Sequence, residues 1–175
     1  ALHAHNGGSV EGVALATTLG RRMPGTIVTT AGGCAAHLVH VLGRERVKEF
    51  SEVVHERWAD SAPDGLQRLS VDGRPARVGL QDSCHLRNGM GFIEPPRDLI
   101  RRGAAYVGIP SAGTCCGAAG TCALLQPKRS REVLAPKLDQ IHELDLDFVV
   151  VVNPGCQRQL IDNLRRAKSP AKVLH

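Results

Sequence analysis

A chain of 175 residues with 42% hydrophobic and 22% charged residues has an ordinary globular composition and is long enough to enclose a core. Aromatic residues make up only 3%, which argues against base-stacking nucleic-acid modules, and the net charge of +5 is spread along the chain as solvated faces rather than gathered in a phosphate-binding stripe. No apolar run approaches the ~18 residues of a membrane span, and six cysteines are too sparse for a disulfide scaffold, so they read as metal or redox chemistry in a reducing compartment.

In chain order, residues 1–8 read as a polar opening loop with His3 and His5. There is no signal peptide, and Ala1 is not a natural start, so the chain reads as a piece of something longer. Ser9 offers an N-cap to a short helix with Val10, Val13, Ala14 and Leu19, ended by Pro24-Gly25. Residues 26–30 read as a buried strand, which runs through Ala31-Gly32-Gly33-Cys34 into a helix over 35–42. Residues 44–58 place Val47, Phe50, Val54 and Trp58 on one face and predict an amphipathic surface helix. Residues 61–67 read as loop. Asp72-Gly73 predicts a hairpin between 69–71 and 76–80, whose second limb is a core strand leading into Cys84.

Pro95-Pro96 opens a helix with Leu99 and Ile100. A short strand over 104–109 then leads to Cys115-Cys116-Gly117. Val133, Leu134, Leu138 and Ile141 predict a helix over 130–144. Residues 148–152 are wholly apolar and predict a strand at the centre of a parallel sheet. Asn153-Pro154-Gly155-Cys156, a helix with Leu160, Ile161 and Leu164, and a last strand over 171–174 complete the chain. The recurrence of strand, loop and helix predicts an α/β fold, a mostly parallel sheet with flanking helices. Cys34, Cys84 and Cys156 each follow a predicted strand. That places the Cys-bearing loops at the carboxyl edge of the strands, where sites form in open α/β sheets. Thr-Ile-Val-Thr-Thr-Ala-Gly-Gly-Cys at 26–34 also resembles Val-Val-Val-Val-Asn-Pro-Gly-Cys at 149–156, a faint internal repeat.

The adjacent thiols are the unusual feature. Cys84, Cys115, Cys116 and Cys156 form a candidate four-thiolate set, and four soft thiolates suit either an iron–sulfur cluster or zinc. A lone tetrahedral zinc is usually gripped through spaced pairs, whereas neighbouring cysteines can serve two irons of one cluster. Glycines 113, 117 and 120, Gly117 above all, would let backbone N–H groups approach cluster sulfides. His85, beside Cys84, is a candidate donor to the site or ligand in it, or else a plain surface histidine; His37, near Cys34, is the same kind of case. Cys122 lies outside the spacing and reads as a small core residue. Cys84-His85 does not read as a catalytic dyad, because sequence neighbours rarely face each other. No Ser-His-Asp order, phosphate loop or His-Glu-x-x-His stands out.

Together, Asp-Ser-Cys-His-Leu-Arg-Asn-Gly-Met-Gly at 82–91, Cys-Cys-Gly-Ala-Ala-Gly-Thr at 115–121, Leu-Gln-Pro at 125–127 and Asn-Pro-Gly-Cys at 153–156 resemble the cysteine-rich CCG domain. That domain occurs in glycolate oxidase iron–sulfur subunits, lactate-utilisation proteins and the B-type subunits of heterodisulfide reductase. The resemblance covers nearly the whole chain and is nearest to the carboxyl-terminal part of the glycolate oxidase subunit. It implies that 1–68 are the tail of a first, incomplete CCG-type unit and 69–175 a second unit with the four-Cys site. The family pattern is Cys, Cys-Cys, then Cys-x-x-Cys. It carries over onto Cys84, Cys115, Cys116 and Cys156, while the first position of Cys-x-x-Cys falls on Asn153. In the first unit Cys34 matches the last cysteine and Ala31 stands for its partner, so no complete first site is expected. These departures point away from the five-thiolate noncubane cluster of heterodisulfide reductase.

The resemblance implies an iron–sulfur electron-transfer subunit, with a 4Fe-4S type cluster, in a glycolate oxidase-like complex. FAD-containing partner subunits would oxidise a 2-hydroxy acid, glycolate to glyoxylate, and electrons would pass to a quinone or other acceptor. The isolated chain would not be catalytic. The location implied is cytoplasmic, peripheral at the inner membrane. The alternatives are a zinc-holding structural module that docks partner subunits, and thiol–disulfide chemistry like that of heterodisulfide reductase. Asn153, in place of a cysteine, speaks against the last.

Overall fold

The computed structural model describes residues 9–60 and 67–175. The expected opening loop with His3 and His5, and nearly all of the expected loop over 61–67, lie outside these residues. Helix α1 (Ser9–Arg22) carries Arg21 and Arg22 in its last turn, where cations complement the helix dipole. Strand β1 (Ile27–Thr29) leads into helix α2 (Gly32–Leu42). Cys34 therefore sits inside the first turn of α2, which starts earlier than expected. Gly20 lets α1 approach α2, since a Cβ there would lie 2.5 Å from the Leu42 side chain. Val10, Leu15 and Leu19 of α1 stay exposed, contrary to an ordinary packed apolar stripe.

Residues 44–58 correct the expected single helix. A 3₁₀ turn (Arg44–Arg46) leads into strand β2 (Val47–Glu49), and helix α3 (Phe50–Asp60) follows. Val47 is fully buried in a strand opposite Ile27, while Phe50 is 52% exposed. The apparent helical spacing joined residues of two different elements. β1 and β2 pair in parallel as a two-stranded sheet, and Val28 is 47% exposed, so β1 is half-buried rather than enclosed.

Strands β3 (Ser70–Val71) and β4 (Arg74–Pro75) form a hairpin about the expected Asp72-Gly73 turn, but its second limb is Arg74–Pro75 and not the expected 76–80. Asp72 and Gly73 both have positive φ, as a type I′ turn requires. The second limb continues as β5 (Arg77–Gln81), buried from Val78 onward. Helix α4 (Glu94–Gly103) opens on Pro95 and Pro96, where missing N–H groups cost nothing. Strand β6 is only Ala105–Tyr106, shorter than the expected 104–109, because just these residues pair with β5. A four-residue helix, α5 (Cys122–Leu125), was not anticipated; Cys122 is half-buried there rather than in the core. Helix α6 (Pro127–Glu143), strand β7 (Phe148–Val151), helix α7 (Pro154–Arg166) and strand β8 (Lys172–Leu174) complete the order.

The main sheet runs β6-β5-β7-β8, with all its pairs parallel. β7 is central, as its apolar run predicts. Val149 and Val151 point into a core with Leu134 and Ile141 of α6 and Leu160 and Leu164 of α7. Phe148 and Val150 face the other way, toward Ala76, Val78 and Ile100. Burying each large apolar side chain stabilises by about 1.5–3 kcal/mol. The sheet is thus covered on both faces, and β5 and β7 end side by side at the carboxyl edge.

The β1–α2 segment docks at that same edge. Gly32 N donates to Val152 O at 2.8 Å, just beyond β7. A Cβ on Gly32 would lie 2.4 Å from Ser83 Oγ, so only glycine permits this approach. Elsewhere His55 of α3 meets Asp98 of α4 at 3.1 Å.

Candidate metal centre

The segment that carries the adjacent cysteines is irregular backbone, and its polar groups are fastened from two sides. Gln81, at the end of β5, donates through Nε2 to the carbonyls of Asp82, Ala112 and Thr114. Asp82 N adds a bond to Ala112 O at 3.1 Å. From the other side, α6 works as a rail. Gln140 Oε1 accepts from Ser111 N and Oγ at 2.9 and 2.6 Å. Lys137 reaches Ser111 O and Thr114, and Ser130 Oγ donates to Gly117 O at 2.8 Å. Gly117 has φ +80°, and a Cβ there would lie 2.3 Å from Ser130 O. The glycine after the two cysteines is therefore a steric requirement of the loop.

Cys84 begins a π-type turn (His85–Gly89) directly after β5. The buried Asp82 holds this turn through Arg87 at 2.8 Å and Arg97 at 2.7 Å. Cys156 lies in the first turn of α7, which Asn153 caps by accepting from Gly155 N. Cys34 holds the same place in α2. All of these elements open on one cavity of about 320 Å³. Its wall includes Cys84, Cys115, Cys116 and Cys156, together with Cys34, His85 and Asn153. Cys116 and Cys156 are buried, with Sγ atoms 2.8 Å apart; Cys84 and Cys115 are half-buried, and Cys34 is exposed. Gly117 N donates to Cys115 Sγ at 3.3 Å, so the expected N–H approach is made to a thiol. His85 Nδ1 comes within 3.6 Å of Cys84 Sγ, because the π-type turn folds the two neighbours together.

Cys84, Cys115 and Cys116 favour their neutral forms. Burial, then the charge of Cys115, pushes Cys84 above the ordinary thiol value. For Cys115 the hydrogen bond with Cys116 is the largest cause of an upward shift, followed by burial. At Cys116 the bond from Cys115 acts downward, but Cys156 and burial outweigh it and push the group up to about 12. These shifts run opposite to the depressed values of reactive cysteines.

Among the described residues, no three His, Cys, Asp or Glu side chains converge as one metal ion requires. The thiols instead stand around a cavity far larger than the ~15 Å³ that one water needs. A soft donor set spread around such a space fits a multi-metal thiolate group, to which Cys84, Cys115, Cys116 and Cys156 could supply the ligands.

A family model described as CCG, Cysteine-rich domain, matches residues 78–161, a span that holds all four of these cysteines. Lactate utilization protein A of Geobacillus sp. (strain WCH70) is 30% identical over 160 residues, 85% of this chain and 67% of its own length. The chain belongs to the cysteine-rich CCG family. A probable glycolate oxidase iron-sulfur subunit of Bacillus subtilis (strain 168) is 29% identical over 194 residues, covering 99% of the chain but 42% of that relative. A fumarate reductase (CoM/CoB) subunit of Methanothermobacter marburgensis is 29% identical over 143 residues, 81% of the chain and 28% of that relative. The chain thus spans less than half the length of the last two.

Within this CCG chain, Cys34 lines the cavity beside Cys84 and Cys156, with which it shares the expected place at the strand ends. Other parts of the site were not foreseen. Gln81, Gln140 and Lys137 hold the loop but bear no thiol. For Lys137 a signal existed: it lies on the same face of α6 as Leu134 and Ile141, the stripe that reads as buried.

Proposed function

We propose that this chain is part of an iron–sulfur electron-transfer subunit of an oxidoreductase complex, with Cys84, Cys115, Cys116 and Cys156 as cluster ligands. The observation that carries this reading is the meeting of cysteines from widely separated segments around one cavity at the carboxyl edge of the sheet. The names of the relatives, iron–sulfur and oxidoreductase subunits, support it. A bound 4Fe-4S type cluster would accept and release single electrons. The chain's own residues fix the thiols in place, through Gln81 and α6 for the adjacent pair, and through the helix cap at Asn153 for Cys156.

The finer reading is a glycolate oxidase-like complex. An FAD-containing partner subunit removes hydride from a 2-hydroxy acid such as glycolate. This chain passes the electrons on, toward a quinone or similar acceptor. Among the described residues no helix is long and apolar enough to cross a membrane. The location in this reading is cytoplasmic, peripheral at the inner membrane. We also read residues 1–68 as the tail of a first CCG-type unit and 69–175 as a second. Support comes from topology: β1, α2 and β2 repeat the strand, Cys-bearing helix and parallel strand order of β7, α7 and β8.

Anaerobic incubation with iron and sulfide tests the cluster. Visible absorbance, acid-labile sulfide and an EPR signal on reduction are expected, and each should be lost or diminished in Cys116→Ser and Cys156→Ser. Zinc bound at the same cysteines without sulfide would replace this reading by a structural docking module. A Cys116–Cys156 disulfide that cycles with a thiol substrate would replace it by thiol–disulfide chemistry.

A further inference from the structure

Lys137 is among the most completely buried side chains of the protein, with 1% of its surface exposed. Removing an ammonium from water is costly unless an anion faces it. Its Nζ donates to Ser111 O and, at 3.3 Å, to Thr114 O and Thr114 Oγ1. All three acceptors are neutral. Among the described residues no carboxylate pairs with it. Asp82, a carboxylate whose charge acts on it, already accepts from both Arg87 and Arg97. Burial pulls the lysine below its ordinary value, and the groups that act to keep it charged are Cys116, Asp82, Cys156 and Cys115. The ammonium is held directly beneath Thr114, one residue before the adjacent thiols.

We infer that Lys137 is the built-in counter-charge of the thiol cavity, a positioning residue whose fixed cation stabilises an anionic metal–thiolate centre and raises its reduction potential. The potential part rests on the iron–sulfur reading above; the charge part does not. One-electron reduction of such a centre adds a single negative charge, and the electron comes from the reductant of the titration. A nearby buried cation favours the more negative form, because charges interact strongly where water is excluded.

The experiment is an EPR-monitored redox titration of the reconstituted protein and of its K137M, K137Q and K137R variants. K137M and K137Q are expected to fall in midpoint potential by about 59 mV or more, a tenfold change for one electron. K137R, which keeps the charge, is expected to stay near the parent. Two neutral variants are included so that misfolding of one leaves the other to read. In the cluster-free protein, affinity for zinc is expected to fall several-fold in K137M and K137Q and to stay near the parent in K137R. Equal potentials in all four proteins would overturn the inference. So would an equal fall in K137R and K137M, which would mark a packing role. If no cluster forms in the parent, the iron–sulfur reading fails, and equal zinc affinities would then refute the counter-charge as well.

Discussion

Gly117 has a positive φ, and a Cβ would clash with the backbone oxygen of Ser130 rather than with a side chain that could move aside. Gly117→Ala is therefore expected to destabilise by about 2 kcal/mol or more. The left-handed conformation contributes about 1–2 kcal/mol, and overpacking about 1–3 kcal/mol. Urea unfolding measures it, and a loss within about 0.5 kcal/mol, as at an ordinary surface position, would show that the loop can relax. Glu49 offers a pH effect. Burial raises its pKa above the usual carboxylate value, against the hydrogen bonds from Ser51. The folded state thus holds the proton more tightly than the unfolded chain. Its contribution is complete below the unfolded value and is lost as pH rises through the folded one. Glu49→Gln should gain stability relative to the parent between pH 4 and pH 7, and parallel stability curves would contradict this. At this scale the cysteines were legible, because two adjacent thiols have few structural uses. Lys137 was not singled out, since a single lysine on a helix usually reaches solvent, although its place in the Leu134–Ile141 stripe marked the position as buried.

Among the elements, α6 does two tasks with one face. Leu134 and Ile141 pack on β7, while Ser130, Lys137 and Gln140 hold the cysteine loop. Leu134→Ala should cost about 2–5 kcal/mol. Val133→Ala, one position round and 47% exposed, should stay within about 0.5 kcal/mol in the same thermal or urea unfolding series. The α6 and β7 patterns were readable because each element is long or wholly apolar and its period is unambiguous. Residues 44–58 were misread because Val47 and Phe50 are three apart, as on a helix, yet a strand ends between them. β2 exists only because Val47 finds Ile27 across the chain, a pairing that no local pattern announces. β6 was overestimated for the same reason, since pairing with β5 and not β-propensity ends it after Tyr106.

For the molecule as a whole, the close approach at Gly32 joins the β1–β2 region to the main sheet. Gly32→Val would place side-chain atoms against Ser83 Oγ and Leu86. Overpacking of about 1–3 kcal/mol should lower Tm by about 2–12 °C for a chain of this size, as read by calorimetry; an unchanged Tm would mean that this junction is loose. The α/β class and the carboxyl-edge placement followed from the strand–loop–helix order. So did the grouping of Cys34 with Cys84 and Cys156, but not the separate β1–β2 sheet or the way the two sheets meet. The same meeting grades the thiols by depth, with Cys34 at the rim, Cys84 and Cys115 partway in, and Cys116 and Cys156 at the floor. An oxidant diffusing in from bulk water meets the outermost sulfur first. The inner ones are shielded by geometry alone, and a reagent too bulky to pass the rim would modify Cys34 and go no deeper.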